Sequence, residues 1–328
     1  MMPRVLIFGT GGIGSAYTYA LTQAGADVTA VCRSNYEAVK ARGLAIDSIV
    51  WGHDLHVHPN VARTCLEAAQ ALPEGEIYDY IVVTSKAFPA SKPSTADNIK
   101  PAVGKGTTIV IIQNGIRIEQ EYSAAFPDNP IISCVVYLPV TQTEPGIIKM
   151  LNLELLEMGS YPQGRFPEAP QAFAELLGKG NATAKVYEDI QPRRWSKLLV
   201  NCAWNPICAL TLGSDVEFLT SSKGAEDFVF SVMMEVVAIA KTLGYGELVN
   251  EKEARRQLDR AVARVQSNLG YEASMLADVR NGRRMEVEAI LGGVVKIGKE
   301  KGVVVEKLSA LYTLATALDS NIQRCRKD

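Results

Sequence analysis

Lys197, Asn201 and Asn205 recur at i, i+4 and i+8 in the stretch Arg193-Arg194-Trp195-Ser196-Lys197-Leu198-Leu199-Val200-Asn201-Cys202-Ala203-Trp204-Asn205-Pro206. Four residues advance a helix by ~400°, so the three share a stripe that drifts only ~80° along ~12 Å of axis. The other positions are largely apolar, which marks the helix as part of a core. An ammonium and two amides in that setting need partners, because an unpaired buried polar group costs roughly 1–3 kcal/mol. Two kinds of partner fit: neighbouring helices, in a hydrogen-bond network with a snorkelling lysine, or a polar ligand. Pro206 lacks an N–H and disfavours helical geometry at Asn205, which predicts a kink or a helix end beside the stripe.

A second constellation opens the chain. The apolar run Arg4-Val5-Leu6-Ile7-Phe8 leads into Gly9-Thr10-Gly11-Gly12-Ile13-Gly14, and a helical pattern follows from Ser15 to Ala24. This is Gly-x-Gly-x-x-Gly between strand and helix: one glycine for the tight turn, one for backbone approach to a pyrophosphate, one for helix–strand contact. The helix N-terminus adds N–H donors and a positive dipole end. Gly9, Gly11, Gly12, Ile13 and Gly14 are thus expected to bind a dinucleotide, against the plainer reading of a glycine turn.

After the next strand, Asp27–Cys32, an NAD site carries an acid for the ribose 2′-hydroxyl. Here Arg33-Ser34-Asn35 occupies that place. A cation and a hydroxyl suit a 2′-phosphate, so the expected cofactor is NADP(H), with Arg33 as its contact; the alternative is a surface arginine. Lys86, in Ser85-Lys86-Ala87 after the strand Tyr80–Thr84, reads as a phosphate or ribose contact or as a solvated loop lysine. Asn114, in Gln113-Asn114-Gly115 after the strand Thr107–Ile112, reads as a turn or as a ligand amide beside the nicotinamide. His53, His56 and His58 lack ligand-spaced Cys or acid partners, and no metal site is expected.

The elements that must position these groups fall into two kinds. Of 328 residues, 47% are hydrophobic, which supports a large core and two domains on a prior of ~150 residues each. A net charge of −2 offers no electrostatic case for nucleic acid or an anionic membrane. The basic end Arg324-Cys325-Arg326-Lys327 reads as a solvated tail. Six scattered cysteines without a Cys-x-x-Cys pair, no signal peptide, and no run of roughly 20 apolar residues imply a soluble cytoplasmic protein.

Residues 1–188 alternate strand and helix patterns, including paired strands at 45–50 and 54–58, a helix at 61–71 and a helix near 170–177. This predicts an α/β class: an N-terminal Rossmann-type doubly wound parallel sheet. From Glu188 the texture changes to amphipathic helices at roughly 191–211, 224–243, 248–268, 285–301 and 305–320, predicting a C-terminal all-helical domain over 189–328. Within it Ser274 precedes a short helix that Gly282 breaks, and Glu286 opens the next; its plain reading is an N-terminal helix charge.

Taken together, the glycine loop, Lys86, Gln113-Asn114-Gly115, Trp195-x-Lys197-Leu198-x-x-Asn201-x-x-x-Asn205-Pro206, and Ser274-Met275-Leu276-x-Asp278 with Glu286 resemble the ketopantoate reductase (2-dehydropantoate 2-reductase) family across nearly the whole chain. The resemblance implies NADPH-dependent reduction of a 2-oxo acid to a 2-hydroxy acid, in the type reaction ketopantoate to pantoate in pantothenate synthesis. By that resemblance Lys197 matches the catalytic lysine and Glu286 the acid contacting the reacting oxygen. Asn201, Asn205 and Ser274 match substrate-binding positions, Asn114 an amide near nicotinamide and substrate, and Lys86 a cofactor contact. An ammonium suits this chemistry because it polarises the ketone and gives a proton as hydride arrives, the more readily if burial lowers its pKa. The partner so implied is a small 2-oxo acid, and a homodimer is compatible with the reading.

Three places depart from the family pattern. Tyr271 stands where the family commonly has Asn, Asp215 replaces another Asn, and Ile147-Ile148-Lys149-Met150 replaces a His-containing stretch. All fall on the substrate side and bear on selectivity. Two other functions share the scaffold: a reductase of a different 2-oxo acid or ketone, and a non-catalytic NADP(H) sensor. A sensor has no need of Lys197 and Glu286.

Overall fold

The computed structural model describes residues 2–89 and 91–325, so Arg326 and Lys327 of the basic end lie outside the described residues. The chain divides into two compact units, Met1–Asn114 with Ile118–Ile190, and Gly115–Arg117 with Gln191–Asp328. The texture change in the sequence lies beside the Ile190/Gln191 division. The excursion of Gly115–Arg117 into the helical unit left no mark in the sequence pattern.

The strands of the first unit, in chain order, are β1 (Arg4–Phe8), β2 (Asp27–Val31), β3 (Leu44–Ser48), β4 (Gly52–Val57), β5 (Asn60–Ala62) and β6 (Tyr80–Val83). They continue with β7 (Thr108–Ile111), β8 (Ile131–Tyr137), β9 (Val140–Glu144), β10 (Ile147–Met150), β11 (Leu155–Ser160) and β12 (Ala184–Val186). Its helices are α1 (Gly12–Gln23), α2 (Tyr36–Arg42), α3 (Cys65–Gln70), α4 (Thr95–Ile99), α5 (Glu119–Ala125) and α6 (Glu168–Lys179). Eight strands form one sheet in the order β12-β11-β8-β7-β6-β1-β2-β5. Every neighbouring pair is parallel except β8 and β11. Val5, Ile7, Val82, Val110 and Ile132 are fully buried, as a sheet covered on both faces requires of its central strands.

Two expectations change here. Residues 61–71 are not one helix: Asn60–Ala62 adds to the sheet edge beside Thr29–Val31, and the helix starts at Cys65, where Thr64 Oγ1 accepts the Glu67 N–H at 3.1 Å. A three-residue edge strand carries too little periodicity to separate from a helix start. The paired strands at 45–58 do form, as β3 and β4, but within a second sheet of order β4-β3-β10-β9. There β10 runs parallel to β3 across a wide sequence gap. The Ile147–Met150 departure is therefore a strand, with Ile148 and Met150 buried and Ile147 and Lys149 exposed at period two.

The second unit holds α7 (Gln191–Thr211), α8 (Asp215–Ser221), α9 (Ala225–Thr242), α10 (Glu251–Ser267), α11 (Ser274–Arg280), α12 (Gly293–Glu300) and α13 (Glu306–Arg324). The stretch expected as a helix at 285–301 contains a π-helical turn, Glu288–Gly292, leading into α12. Trp195, Leu198, Leu199 and Ile207 of α7 pack in one core with Met233, Val236, Leu276, Leu291 and Leu308. Each such side chain contributes roughly 1.5–3 kcal/mol on burial. That packing overrides Pro206: the helix does not end at Asn205 but continues to Thr211, with Pro206 and both its neighbours buried. Among the described residues no helix is long and apolar enough to cross a membrane.

Leu199 is fully buried in this core. Leu199→Ala is expected to destabilise the helical unit by about 2–5 kcal/mol through lost transfer energy and the cavity left behind. The check is a fall in the urea midpoint at unchanged slope, followed by the fluorescence of Trp195 and Trp204.

Candidate active site

In the first unit the glycine loop is built by contact. Gly9 has φ +104°, and a Cβ there would overlap the backbone of Ser85. A Cβ on Gly14 would overlap the Gly9 carbonyl and approach Thr84 Oγ1 at 2.6 Å. A Cβ on Gly11 would meet nothing within 4 Å. The first and third glycines are thus required by packing, whereas the second borders open space, as a backbone that receives a pyrophosphate must. The loop is pinned by Thr10 Oγ1 donating to the Val31 carbonyl at 2.9 Å and Asn35 Nδ2 donating to the Thr10 carbonyl at 2.6 Å. Thr84 Oγ1 donates to the Gly9 carbonyl at 2.7 Å.

The helix that follows starts at Gly12, earlier than the sequence pattern indicated, and no side chain caps it. Its first N–H groups are therefore left for an anion. Ser15 Oγ in its first turn and Ser85 Oγ beside Gly9 are buried and find no hydrogen-bond partner among the described residues. Open space at Gly11, an uncapped helix start and two orphaned hydroxyls fit a dinucleotide. Arg33 is exposed just past the carboxyl end of β2, and Lys86 is half-buried just past β6. Asn114 is half-buried after β7, and the preceding Gln113 donates from Nε2 to the Ser85 carbonyl at 2.8 Å and accepts from Tyr122 OH at 2.9 Å. His53, in contrast, pairs with Asp47, whose carboxylate raises the imidazole pKa.

In the second unit α7 presents Lys197 and Asn201 half-buried and Asn205 buried. Asn205 Oδ1 accepts from Ser274 Oγ at 2.9 Å and from the Met275 N–H at 3.1 Å, so it caps the first turn of α11 from outside. Of the two partner types open to the stripe, Asn205 takes an interhelical one, and it joins two of the expected substrate-side residues directly. Glu286 is buried immediately before the helical stretch beginning at Val287, and its carbonyl accepts the Ile290 N–H at 3.1 Å.

Residues that carry no signal in the local sequence pattern hold this arrangement together. Cys202, next to Asn201, donates from Sγ to the Ile290 carbonyl at 3.3 Å, and burial pushes its pKa well up, which keeps it a thiol donor. The Ile116 N–H donates to the Ala289 carbonyl at 2.9 Å, and Arg194 Nη1 donates to the Gly115 carbonyl at 3.0 Å. Asp319 and Asp278, both buried, take donors from residues 283–285 just before Glu286. The departures Asp215 and Tyr271 prove to be linked: Asp215 is fully buried, accepts the Tyr271 N–H at 2.6 Å, and pairs with Arg264, whose Nε lies at 2.9 Å. Tyr271 as a residue is 46% exposed.

A glycine-rich loop between strand and helix on a mostly parallel sheet, followed by a unit of helices, is the architecture of Rossmann-type nicotinamide-dependent oxidoreductases. The family model described as ketopantoate reductase PanE/ApbA matches residues 5–163, and the model of its C-terminal part matches residues 189–319. A 2-dehydropantoate 2-reductase of Mesorhizobium japonicum is 28% identical, covering 90% of this chain and 91% of its own. An uncharacterised protein of Saccharomyces cerevisiae is 30% identical, covering 98% and 95%. The solved structure of 2-dehydropantoate 2-reductase from Methylococcus capsulatus superposes with a TM-score of 0.83 at 32% identity, covering 97% of each chain. The chain belongs to the ketopantoate reductase family and is an oxidoreductase of that NAD(P)H-dependent type.

Gly115 has φ +102°, and a Cβ there would overlap the Ala289 carbonyl. Gly115→Ala is expected to destabilise the helical unit by about 2 kcal/mol or more, since strain and overlap act together. Thermal unfolding and faster hydrogen exchange at the Ile116 amide are the readouts.

Proposed function

We propose that this chain reduces a 2-oxo acid to the 2-hydroxy acid with NADPH, and that 2-dehydropantoate is the substrate. The observation that carries the reading is the α7 stripe: an ammonium and an amide at Lys197 and Asn201, half-buried on a helix otherwise committed to an apolar core. Polar groups in such a setting need polar partners, and in this reading the substrate is one of them. Lys197 is the general acid: it polarises the ketone and delivers a proton to the carbonyl oxygen. Glu286 contacts the reacting oxygen and balances the lysine's charge. Asn201, Asn205 and Ser274 orient the carboxylate and hydroxyl of the substrate, and Asn114 would contact the nicotinamide. When bound, the reduced nicotinamide supplies the hydride. Gly9, Gly11, Gly12, Ile13 and Gly14 would hold its pyrophosphate, Arg33 its 2′-phosphate and Lys86 its phosphate or ribose.

A second reading keeps the reaction and changes the substrate. It is favoured by the bonded pair of departures, Asp215 and Tyr271, which fixes a tyrosine in the segment just before Ser274. Assays of NADPH and NADH oxidation with 2-dehydropantoate, 3-methyl-2-oxobutanoate and phenylglyoxylate separate the two. Fastest turnover on 2-dehydropantoate supports the first reading, and fastest turnover on another member supports the second. Tight NADPH binding without turnover on any of them would sink the first and favour the non-catalytic NADP(H) sensor.

Lys197→Ala is expected to lower kcat by about 10²–10⁴-fold, the loss typical of a general acid or electrostatic stabiliser. A near-wild-type rate would remove Lys197 from the chemistry. Arg33→Ala is expected to weaken NADPH binding far more than NADH binding, measured as the ratio of the two Kd values; equal losses would remove the 2′-phosphate assignment.

A further inference from the structure

The backbone that delivers Glu286 is irregular, and carboxylates from two different helices hold it. After α11 the chain turns at Gly282 (φ +58°), and the Arg283 N–H donates to the Asp278 carbonyl at 2.7 Å. Arg283 Nε reaches Asp278 Oδ1 at 3.1 Å. Two residues later the Met285 N–H donates to Asp319 Oδ1 at 2.7 Å. Asp319 sits on α13, 8% exposed, and is itself oriented: Gln323, one turn further on, donates from Nε2 to Oδ2 at 2.6 Å. Arg284 Nε lies 3.8 Å from the same Oδ2. Glu286 follows at once and is tied on its other side through its carbonyl to the Ile290 N–H.

The first N–H groups of a helical stretch have no intrahelical acceptor, and such ends fray unless capped. No side chain of the segment itself caps the turn that starts at Val287. Asp319 supplies a carboxylate acceptor one peptide before Glu286, and a charge-assisted bond from a buried group is stronger and more directional than a neutral one. Fixing the Met285 peptide restricts φ and ψ at the junction from which the Glu286 side chain departs.

We propose that Asp319, remote from Glu286 in sequence, is a positioning residue for the reaction: by holding the Met285 N–H it sets where the Glu286 carboxylate stands. This rests on the role given to Glu286 above. The same geometry makes Gln323 an accessory, since it fixes the rotation of the Asp319 carboxylate.

The test compares Asp319→Ala, Asp319→Asn, Gln323→Ala and Glu286→Gln for kcat, KM and the pH profile of kcat, on whichever of the three 2-oxo acids named above turns over fastest. Asp319→Ala is expected to lower kcat about 10–100-fold, the range for a group displaced by about an ångström. KM for NADPH should stay within about twofold, and the pH limb that Glu286→Gln abolishes should shift. Asp319→Asn retains an acceptor for the Met285 N–H and should recover most of the rate. Where Asp319→Ala does not fold, Gln323→Ala carries the test, with a smaller loss of the same kind. Wild-type kcat in Asp319→Ala beside an impaired Glu286→Gln overturns the positioning role alone. Equal loss in Asp319→Ala and Asp319→Asn with an unmoved pH profile also overturns it, leaving Asp319 a structural residue. Wild-type kcat in Glu286→Gln overturns the role of Glu286 and this inference with it.

Discussion

A helix that crosses an apolar core while carrying an amide, a thiol and a guanidinium must find acceptors and donors for them inside the protein. In α7 those partners determine where the neighbouring segments lie. Asn205 caps α11, Cys202 takes the Ile290 carbonyl, and Arg194 takes the Gly115 carbonyl. Each bond ends on a segment that bears or adjoins a proposed site residue: Ser274 on α11, Glu286 before the π turn, and Asn114 before Gly115. A buried hydrogen bond adds only about 1 kcal/mol net, whereas leaving one partner orphaned costs roughly 1–3 kcal/mol. The asymmetry makes the network a specifier of geometry more than a source of stability.

The π turn follows from the same accounting. In a regular helix the carbonyls of Ala289 and Ile290 would receive N–H groups from four residues on. Here both take donors from outside the turn, Ala289 from the Ile116 N–H and Ile290 from Cys202 Sγ. Residue 293 must be small for this to work, since a Cβ on Gly293 would come within 2.7 Å of Ile116 Cγ2. The close approach of Gly115–Arg117 thus depends on glycines on both sides of the contact. Changing any one of them would press on the turn that starts right after Glu286.

What was legible in the sequence were features set by local pattern. The β1–glycine loop–α1 unit and the extent of α7 follow from periodicity and from residues whose conformational demands are unmistakable. Features that failed depend on partners distant in sequence. Strand β5 is too short to declare itself, and the sheet that β10 joins shows only once β3 lies beside it. Pro206 suggested a kink or a helix end because its cost is local, and the helix runs on to Thr211 with packing supplied by α9, α11 and α13. The candidate site divides in the same way. Lys197 stands out by its place on the α7 stripe and Glu286 only through the family resemblance, whereas Asp319, Cys202 and Arg194 act through bonds to other residues' backbones and carry no local signature.

The substrate-side departures show why single positions mislead there. Asp215 cannot be treated as a lone exchange for Asn, since a fully buried carboxylate needs a compensating cation, and Arg264 provides it. An amide at 215 could still accept the Tyr271 N–H but would leave Arg264 without its charge partner. Through that bond Asp215 also fixes the backbone from which the Tyr271 ring projects, and Gly270 beside it has room for no side chain against Ser214, whose Oγ would lie 2.5 Å from a Cβ. Asp215, Arg264, Gly270 and Tyr271 therefore form one unit. On the proposed function, a change of substrate preference through this region would require them to change together, while α7 and the segment that carries Glu286 could stay as they are.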